Sequence, residues 1–287
     1  MKFKSKRPTF QYLRKKWTAK NRQLTENVLD KHLRRAAVSS LGGLMILSTS
    51  GLSSSTPAQA LDLTTKIQAL TTKNLLLVGE LSKILPREFR NLTPDEEQVV
   101  AKAISDELGI KVVAEIDNKR LNRTYGIIGG EQHLYRYPGD SLVAHPKSAQ
   151  DWAMYGGAGI APGLGAWGYF APSKEAMTPE IENRERYYIA VQTFLSPGFA
   201  ERVAEYRDFY KYRKMLLVNP KTGQAVVADI ADAGPAEWTG KHLGGSPEVM
   251  QALGLATGPR RGEVLYFFID DSNRDVPLGP VNIPINQ

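Results

Sequence analysis

The chain of 287 residues contains no cysteine. That absence excludes disulfides, thiolate zinc sites, iron–sulfur clusters and cysteine nucleophiles. Stability must therefore come from a buried apolar core, and a hydrophobic content of 42% with 9% aromatics is ordinary for a chain that builds one. The sequence has no internal repeat and no nucleotide-binding glycine motif. It also lacks a long uninterrupted apolar run. Its most apolar stretch, Ala36 to Leu52, is broken by Ser39, Ser40, Gly42, Gly43, Ser48 and Ser50, whereas a permanent membrane anchor needs about 20 mainly apolar residues.

Positive charge is confined to one end. Of 37 Lys+Arg and 30 Asp+Glu, residues 1–60 hold 12 and 2, so the rest carries 25 basic against 28 acidic residues. The body is mildly acidic, which removes the electrostatic argument for a nucleic-acid partner. The basic leader ends in Arg34-Arg35 and runs through the apolar stretch to "SSSTPAQA", where Ala58-Gln59-Ala60 is a small-x-small cleavage site. These are the three parts of a secretory signal. The expectation is an export signal over 1–60, cleaved after Ala60, with the protein exported to the cell envelope or beyond. The Arg pair also fits twin-Arg export, although "RRAAVSSL" lacks the Phe-Leu that usually follows. Contact with a membrane is expected only through this signal.

Two further regions follow. Residues 61–141 are expected to form a helical extension with a short strand. In "LTPDEEQVVAKAISDELG", Thr93 caps, Pro94 opens the first turn, and Val99, Val100, Ala103, Ile104 and Leu108 recur at helical spacing before Gly109. "IKVVAEID" is the strand candidate, and "GIIGGEQHLYRYPGD" is read as a cluster of turn residues. Residues 142–287 are mostly β, ending in a Pro-rich tail. The glycine-rich "YGGAGIAPGLGAWGYFA" precedes four short β-like runs, "RYYIAVQTF", "KMLLVNP", "QAVVADIAD" and "GEVLYFFID". "NPKTGQ" is a hairpin turn, and Ser246 caps a short helix in "SPEVMQALGL".

The order of elements in "YRKMLLVNPKTGQAVVADIADAGPAEWTGKHLGGSPEVMQALGL" and "GEVLYFF" resembles the double-psi β-barrel of rare lipoprotein A and its expansin-like relatives. The matching parts are Ile230 to Pro235, for the family's turn of pattern (I/V)-x-D-x-G-P, then Gly240-Lys241, the capped helix Ser246 to Gly254, and the closing strand Gly262 to Asp270. "GAWGYF" and "RYYIAVQTF" are expected to supply the first strands, so the resemblance covers Gly165 to Asp271. It implies a mainly β fold, a six-stranded double-psi barrel with an N-terminal α-helical extension. It also implies a protein of the wall polysaccharide, either a lytic transglycosylase cutting peptidoglycan glycan strands or a binder that loosens the polymer without cutting it.

By the resemblance, Asp232 stands where the enzymes carry their general acid/base. That chemistry needs a carboxyl with a raised pKa beside the glycosidic oxygen. Asp232 is equally readable as a turn residue bonding backbone N–H groups. Gln192 stands where the transglycosylases have His, and the family's later Asp becomes Gly244 or Gly245, so any assisting role is re-sited or absent, with Glu237, Glu180 and Glu182 the candidates for a second carboxyl. Trp238 offers a face for stacking on a sugar ring, or else plugs the barrel end. His242, Gln192 and Tyr169 complete the candidate ligand contacts, with a structural role for His242 as the alternative. One competing pattern is the His133 to Asp140 spacing with His145 nearby, which matches one zinc motif of peptidoglycan-peptide carboxypeptidases. Its second half is missing, since only His242 remains, and zinc catalysis needs three protein ligands. No metal or cofactor is therefore expected. A third function class, an envelope structural or interaction protein, predicts that the barrel groove is filled by the protein's own segments.

Overall fold

The computed structural model describes residues 57–141, 143, 145–156, 163–271 and 275–281. The segment read as an export signal lies outside them up to residue 56, and Ala58-Gln59-Ala60 falls in the first turn of helix α1, Pro57–Ile84. No described helix is long and apolar enough to cross a membrane. Local signals place the next helix as its residues require. Thr93 accepts from the Glu96 N–H while the Glu96 carboxylate accepts from the Thr93 N–H, and Pro94 opens α2, Pro94–Leu108. Gly109, at φ 68°, closes it in the left-handed region that glycine adopts without strain. The buried stripe is Val100, Ile104 and Leu108 with Ala101, and Val99 is exposed instead of sharing it. Glu97 fixes that rotation, because its buried carboxylate takes Arg120 at 2.8 Å and the Thr124 hydroxyl at 2.8 Å.

The remaining strands are β1 (Val112–Val113), β2 (Glu115–Ile116), β3 (Lys119–Arg120), β4 (Tyr125–Gly130), β5 (Tyr188–Val191), β6 (Lys214–Val218), β7 (Ala225–Ala233), β8 (Leu243–Gly245), β9 (Arg261–Ile269) and β10 (Gly279–Pro280). Helices α3 (Ala149–Tyr155), α4 (Pro179–Arg186), α5 (Val203–Tyr210) and α6 (Pro247–Ala252) lie between them. Six strands close into a mixed barrel in the order β4-β8-β5-β7-β6-β9, with β9 returning to β4. The pairs β4/β8 and β5/β7 are parallel, and the other four are antiparallel. Strands β7 and β9, nine residues each, extend past the ring to pair with β10 and β1 respectively.

Alternation along the strands builds two cores. Met215, Leu217, Val226, Ala228, Ile230, Val264, Tyr266 and Phe268 point into the barrel and meet α5 and α6 side chains. Their neighbours Leu216, Val218, Val227, Leu265 and Phe267 point outward, where Leu77, Leu81, Val100, Ile104 and Leu108 of the two N-terminal helices cover them. Both faces of these strands are dry, which is why their sequences are continuous apolar runs instead of an alternating pattern. The two helices thus pack as an outer layer on the barrel.

Two placements differ from the sequence reading. The barrel takes β4 from upstream of residue 142, inside the segment read as turns. Gly126, Gly129 and Gly130 disguise it, and side chains from neighbouring elements fill the space that those residues leave empty. "GAWGYF" forms no strand, only a Gly165–Gly168 bridge held on the end of β7 by the Ala166 N–H to Ala231 O bond and the Trp167 Nε1–H to Ile230 O bond.

Because Ile104 is fully buried against barrel side chains, Ile104→Ala should cost about 2–5 kcal/mol. Urea unfolding followed separately by far-UV circular dichroism and tryptophan fluorescence should give one coincident, shifted transition. Two separated transitions would show that the helices are not part of the barrel's cooperative unit.

Candidate active site

The two parallel pairs, joined through the antiparallel β8/β5 pair, set one residue from each of four strands in a row on the barrel wall. Across them the register runs Gly129↔Gly244, Gly244↔Ala190 and Ala190↔Asp232. Paired residues share a face of the sheet, so Asp232 stands at the end of a row whose other members are the smallest residues available. A bulge aims it. Ile189 pairs with Ile230 and Ala190 with Asp232, so Ala231 is skipped. Without the extra residue, Asp232 would follow Ile230 and Ala228 into the barrel interior. With it, the carboxyl joins the outer face.

Asp232 is half-buried, and its Oδ1 accepts the Ala233 N–H at 2.8 Å. Burial raises its pKa; hydrogen bonds from the Ala233 and Ala166 backbones oppose this, and the Glu131 charge adds to the rise. Asp232 thus bonds its own turn, and its pKa is still raised from the ordinary aspartate value.

Glu131, which sequence reasoning missed, follows β4 directly. Its N–H donates to Gly245 O at 2.8 Å, and its carboxylate pairs with Lys241 Nζ at 2.7 Å. Its side chain lies where a Cβ on Gly244 would stand, and the Lys241 stem lies where a Cβ on Gly129 would stand. The glycine pairs 129–130 and 244–245 were the available signal, because glycine in a strand marks a close approach.

The other candidates separate. Gln192 is buried, and its amide donates to Pro235 O at 2.9 Å and Lys241 O at 3.3 Å, so it ties down the 235–241 loop. Glu182 is drawn away to Lys147 at 2.6 Å and Arg136 at 3.7 Å, and Glu180 to Arg184 at 3.4 Å. Glu237 and Trp238 sit on the exposed turn Glu237–Thr239; the acidic neighbour acting on Asp232 is Glu131, not Glu237. Trp238 is 89% exposed, so it is no plug of the barrel end. Tyr169 is exposed as well. His242 clamps β8 to β4: its N–H donates to Ile127 O at 2.8 Å, and its Nδ1 accepts the Ile127 N–H at 2.9 Å. Burial, then the charges of Arg123 and Arg261, lowers its pKa to about 4. A neutral ring with an occupied Nδ1 is a structural pin.

His133, Asp140 and His145 lie in a separate buried cluster, where Asp140 holds His145 at 2.8 Å and the partner of His133 is Glu185, at 3.0 Å. The described group of residues able to hold a metal ion is His133, His145 and Glu185.

The His242 geometry has a measurable consequence. Its folded pKa lies below its unfolded value near 6.5, so between about 6.5 and about 4 the unfolded chain binds a proton that the folded chain does not. That contribution to stability is present above this window and is lost as pH falls through it. His242→Asn keeps an acceptor near Nδ1 but cannot titrate, so urea midpoints of the variant should fall less steeply than wild type over this range. Parallel curves would refute the assignment. The chain matches no family model, no curated protein and no solved structure with which it was compared.

Proposed function

We propose that the protein is an exported double-psi β-barrel protein that cuts peptidoglycan glycan strands as a lytic transglycosylase, with Asp232 as its general acid/base. The observation that carries this reading is the placement of Asp232: a half-buried carboxyl with raised pKa at the end of the row Gly129, Gly244, Ala190, open on the outer face beside Glu131. The barrel order supports the double-psi assignment, since both parallel pairs join strands separated by long crossing connections.

In this reading the protonated Asp232 donates to the glycosidic oxygen as the bond to the anomeric carbon breaks. The carboxylate left behind then takes a proton from a hydroxyl of the same sugar, whose oxygen attacks the anomeric carbon and closes an anhydro ring. One carboxyl serves both steps, and no water enters. Burial first, and then the like charge of Glu131, whose side chain lies over Gly244 and is held by Lys241, favour the protonated form of Asp232. Gln192 cannot exchange a proton near neutral pH and acts here only by positioning the loop. The exposed Trp238 indole suits stacking on a pyranose ring.

That same tryptophan, with the loss of the family's His at position 192, favours the second reading, a non-catalytic binder of the wall glycan. Digestion of purified peptidoglycan by wild type and Asp232→Asn, with mass spectrometry of the products, separates the two. Anhydro-muropeptides should be released by wild type and reduced about 10²- to 10⁴-fold in the variant. Co-sedimentation of both proteins with the wall and no product from either would sink the lytic reading and leave the binder.

The pH profile is a second check. Activity requires the protonated acid, so it should fall on the alkaline side as Asp232 ionises. Glu131→Gln removes a like charge, lowers the Asp232 pKa, and should move that limb to lower pH. A limb that stays in place would disconnect Glu131 from the acid.

A further inference from the structure

Away from the candidate active site, residues 133–145, α4 and α6 enclose a cluster of charge with almost no access to water. His133, Arg136, His145, Glu185 and Glu248 are each at most 4% exposed, and the Asp140 side chain is fully buried. Glu185 lies between the two imidazoles, with Oε1 3.0 Å from His133 Nδ1 and Oε2 3.4 Å from His145 Nδ1. Bonds of roughly 2.0–2.1 Å from a tetrahedral ion place its donors about 3.3 Å apart. The two separations, each to a different oxygen of Glu185, lie on either side of that spacing, and one donor atom of each of the three residues lies within 4.8 Å of the others.

Each imidazole has a second carboxylate behind it. Asp140 Oδ2 is 2.8 Å from His145 Nε2, and Glu248 Oε2 is 3.8 Å from His133 Nε2. Asp140 is close enough to fix the proton on His145 Nε2 and turn the Nδ1 lone pair inward, the usual support of a metal-bound imidazole, whereas Glu248 stands beyond hydrogen-bond reach of His133. Two atoms of the cluster are unfinished. His145 Nδ1 is buried without a hydrogen-bond partner, as is Glu248 Oε2. A bare lone pair on His145 Nδ1 would face the Glu185 oxygen at 3.4 Å unfavourably, so a proton or a metal ion must stand between them.

Charge counting points the same way. Glu185, Asp140, Glu248, Asp151 and Glu182 contribute five carboxylates, and Arg136, Arg186 and Lys147 answer with three cations. Arg136 lies on Glu185 Oε2 at 2.7–2.8 Å, which leaves Oε1 as the oxygen free of a cation. With every carboxyl ionised and both imidazoles neutral, two negative charges remain, which a divalent ion balances.

We propose that His133, His145 and Glu185 form a structural site for a zinc-class transition metal, one ion per chain. Two imidazoles and a carboxylate suit zinc and exclude magnesium and calcium as preferred occupants. Complete burial makes the site a brace and not a reaction centre. The donors come from the loop after β4 and from α4, so the ion would tie the Glu131-bearing loop to the body of the protein, independently of what Asp232 does.

The test uses full-length protein purified without chelator. Plasma mass spectrometry should find about one zinc per chain. Stripping with chelator should lower the thermal midpoint, and returning zinc should raise it by about 5 to 10 °C at a hundredfold excess over the dissociation constant. Cobalt substitution should give visible ligand-field absorption. His145→Ala should lose the ion, whereas Asp140→Asn, with all three donors intact, should bind it 10- to 100-fold more weakly. His242→Asn should retain it. If wild type carries no metal and zinc leaves its midpoint unchanged, the proposal is wrong and protonated imidazoles must supply the missing charge. None of these readouts depends on wall cleavage, so this proposal and the transglycosylase reading fail separately.

Discussion

Pairing of β6 with β9 is the constraint on which the rest depends. Met215↔Phe268 through Val218↔Leu265 complete the ring, so that each of the six barrel strands has a partner on both sides. Closure separates an inside from an outside, and each long strand must then satisfy both. Inside, Tyr266 and Phe268 alternate with the outward Leu265 and Phe267, and the outer set stays dry only because α1 and α2 cover it. The two N-terminal helices are therefore a condition of the barrel's sequence, since its strands could not be this apolar with one face in water.

The same ring explains where chemistry can be placed. A sheet of hairpins alone would leave successive strand ends far apart in sequence role. The parallel pairs β4/β8 and β5/β7, joined through the antiparallel β8/β5 pair, set one residue of each strand in a row, with glycine or alanine at three of the four positions. Asp232 closes the row because one extra residue, Ala231, rotates the end of β7 outward. The carboxyl's raised pKa follows from the resulting half-burial and from Glu131, which reaches across Gly244. A side chain larger than hydrogen at position 244 would occupy the volume that Glu131 uses.

A second concentration of charge lies under the loop that carries Glu131. Buried charges are expensive unless each finds partners, and here imidazoles, guanidinium groups and carboxylates are interlocked across the loop, α4 and the start of α6. Burial pushes the Glu185 carboxyl up, and its contacts with His133, His145 and Arg136 outweigh that and hold it below the ordinary range. Rigidity in the loop and placement of the acid at its base are thus linked through a few residues.

Local chemistry was legible in the sequence wherever one residue's own preference decides the conformation. Thr93 with Glu96, Gly109, the Asn219 to Gly223 hairpin turn and the Ser246 cap are each set by a bond reaching only a few residues. The apolar runs of β6, β7 and β9 announced strands, and Asp232 announced itself by its turn. What escaped were features made between segments. Strand β4 was hidden because its glycines look like turn residues until neighbouring elements are seen to fill the space above them. Glu131 and Lys241 stand 110 residues apart and meet only through the β4/β8 register. Glu185 reads as one more acid of a polar helix until folding places both histidines against it. The sequence by itself determined the caps, the turns and the apolar strands, because these depend on backbone geometry and on neighbours a few positions away. Only the tertiary structure decided which face Asp232 occupies and which charges are buried together, because both depend on a register and a bulge fixed by pairing between distant strands.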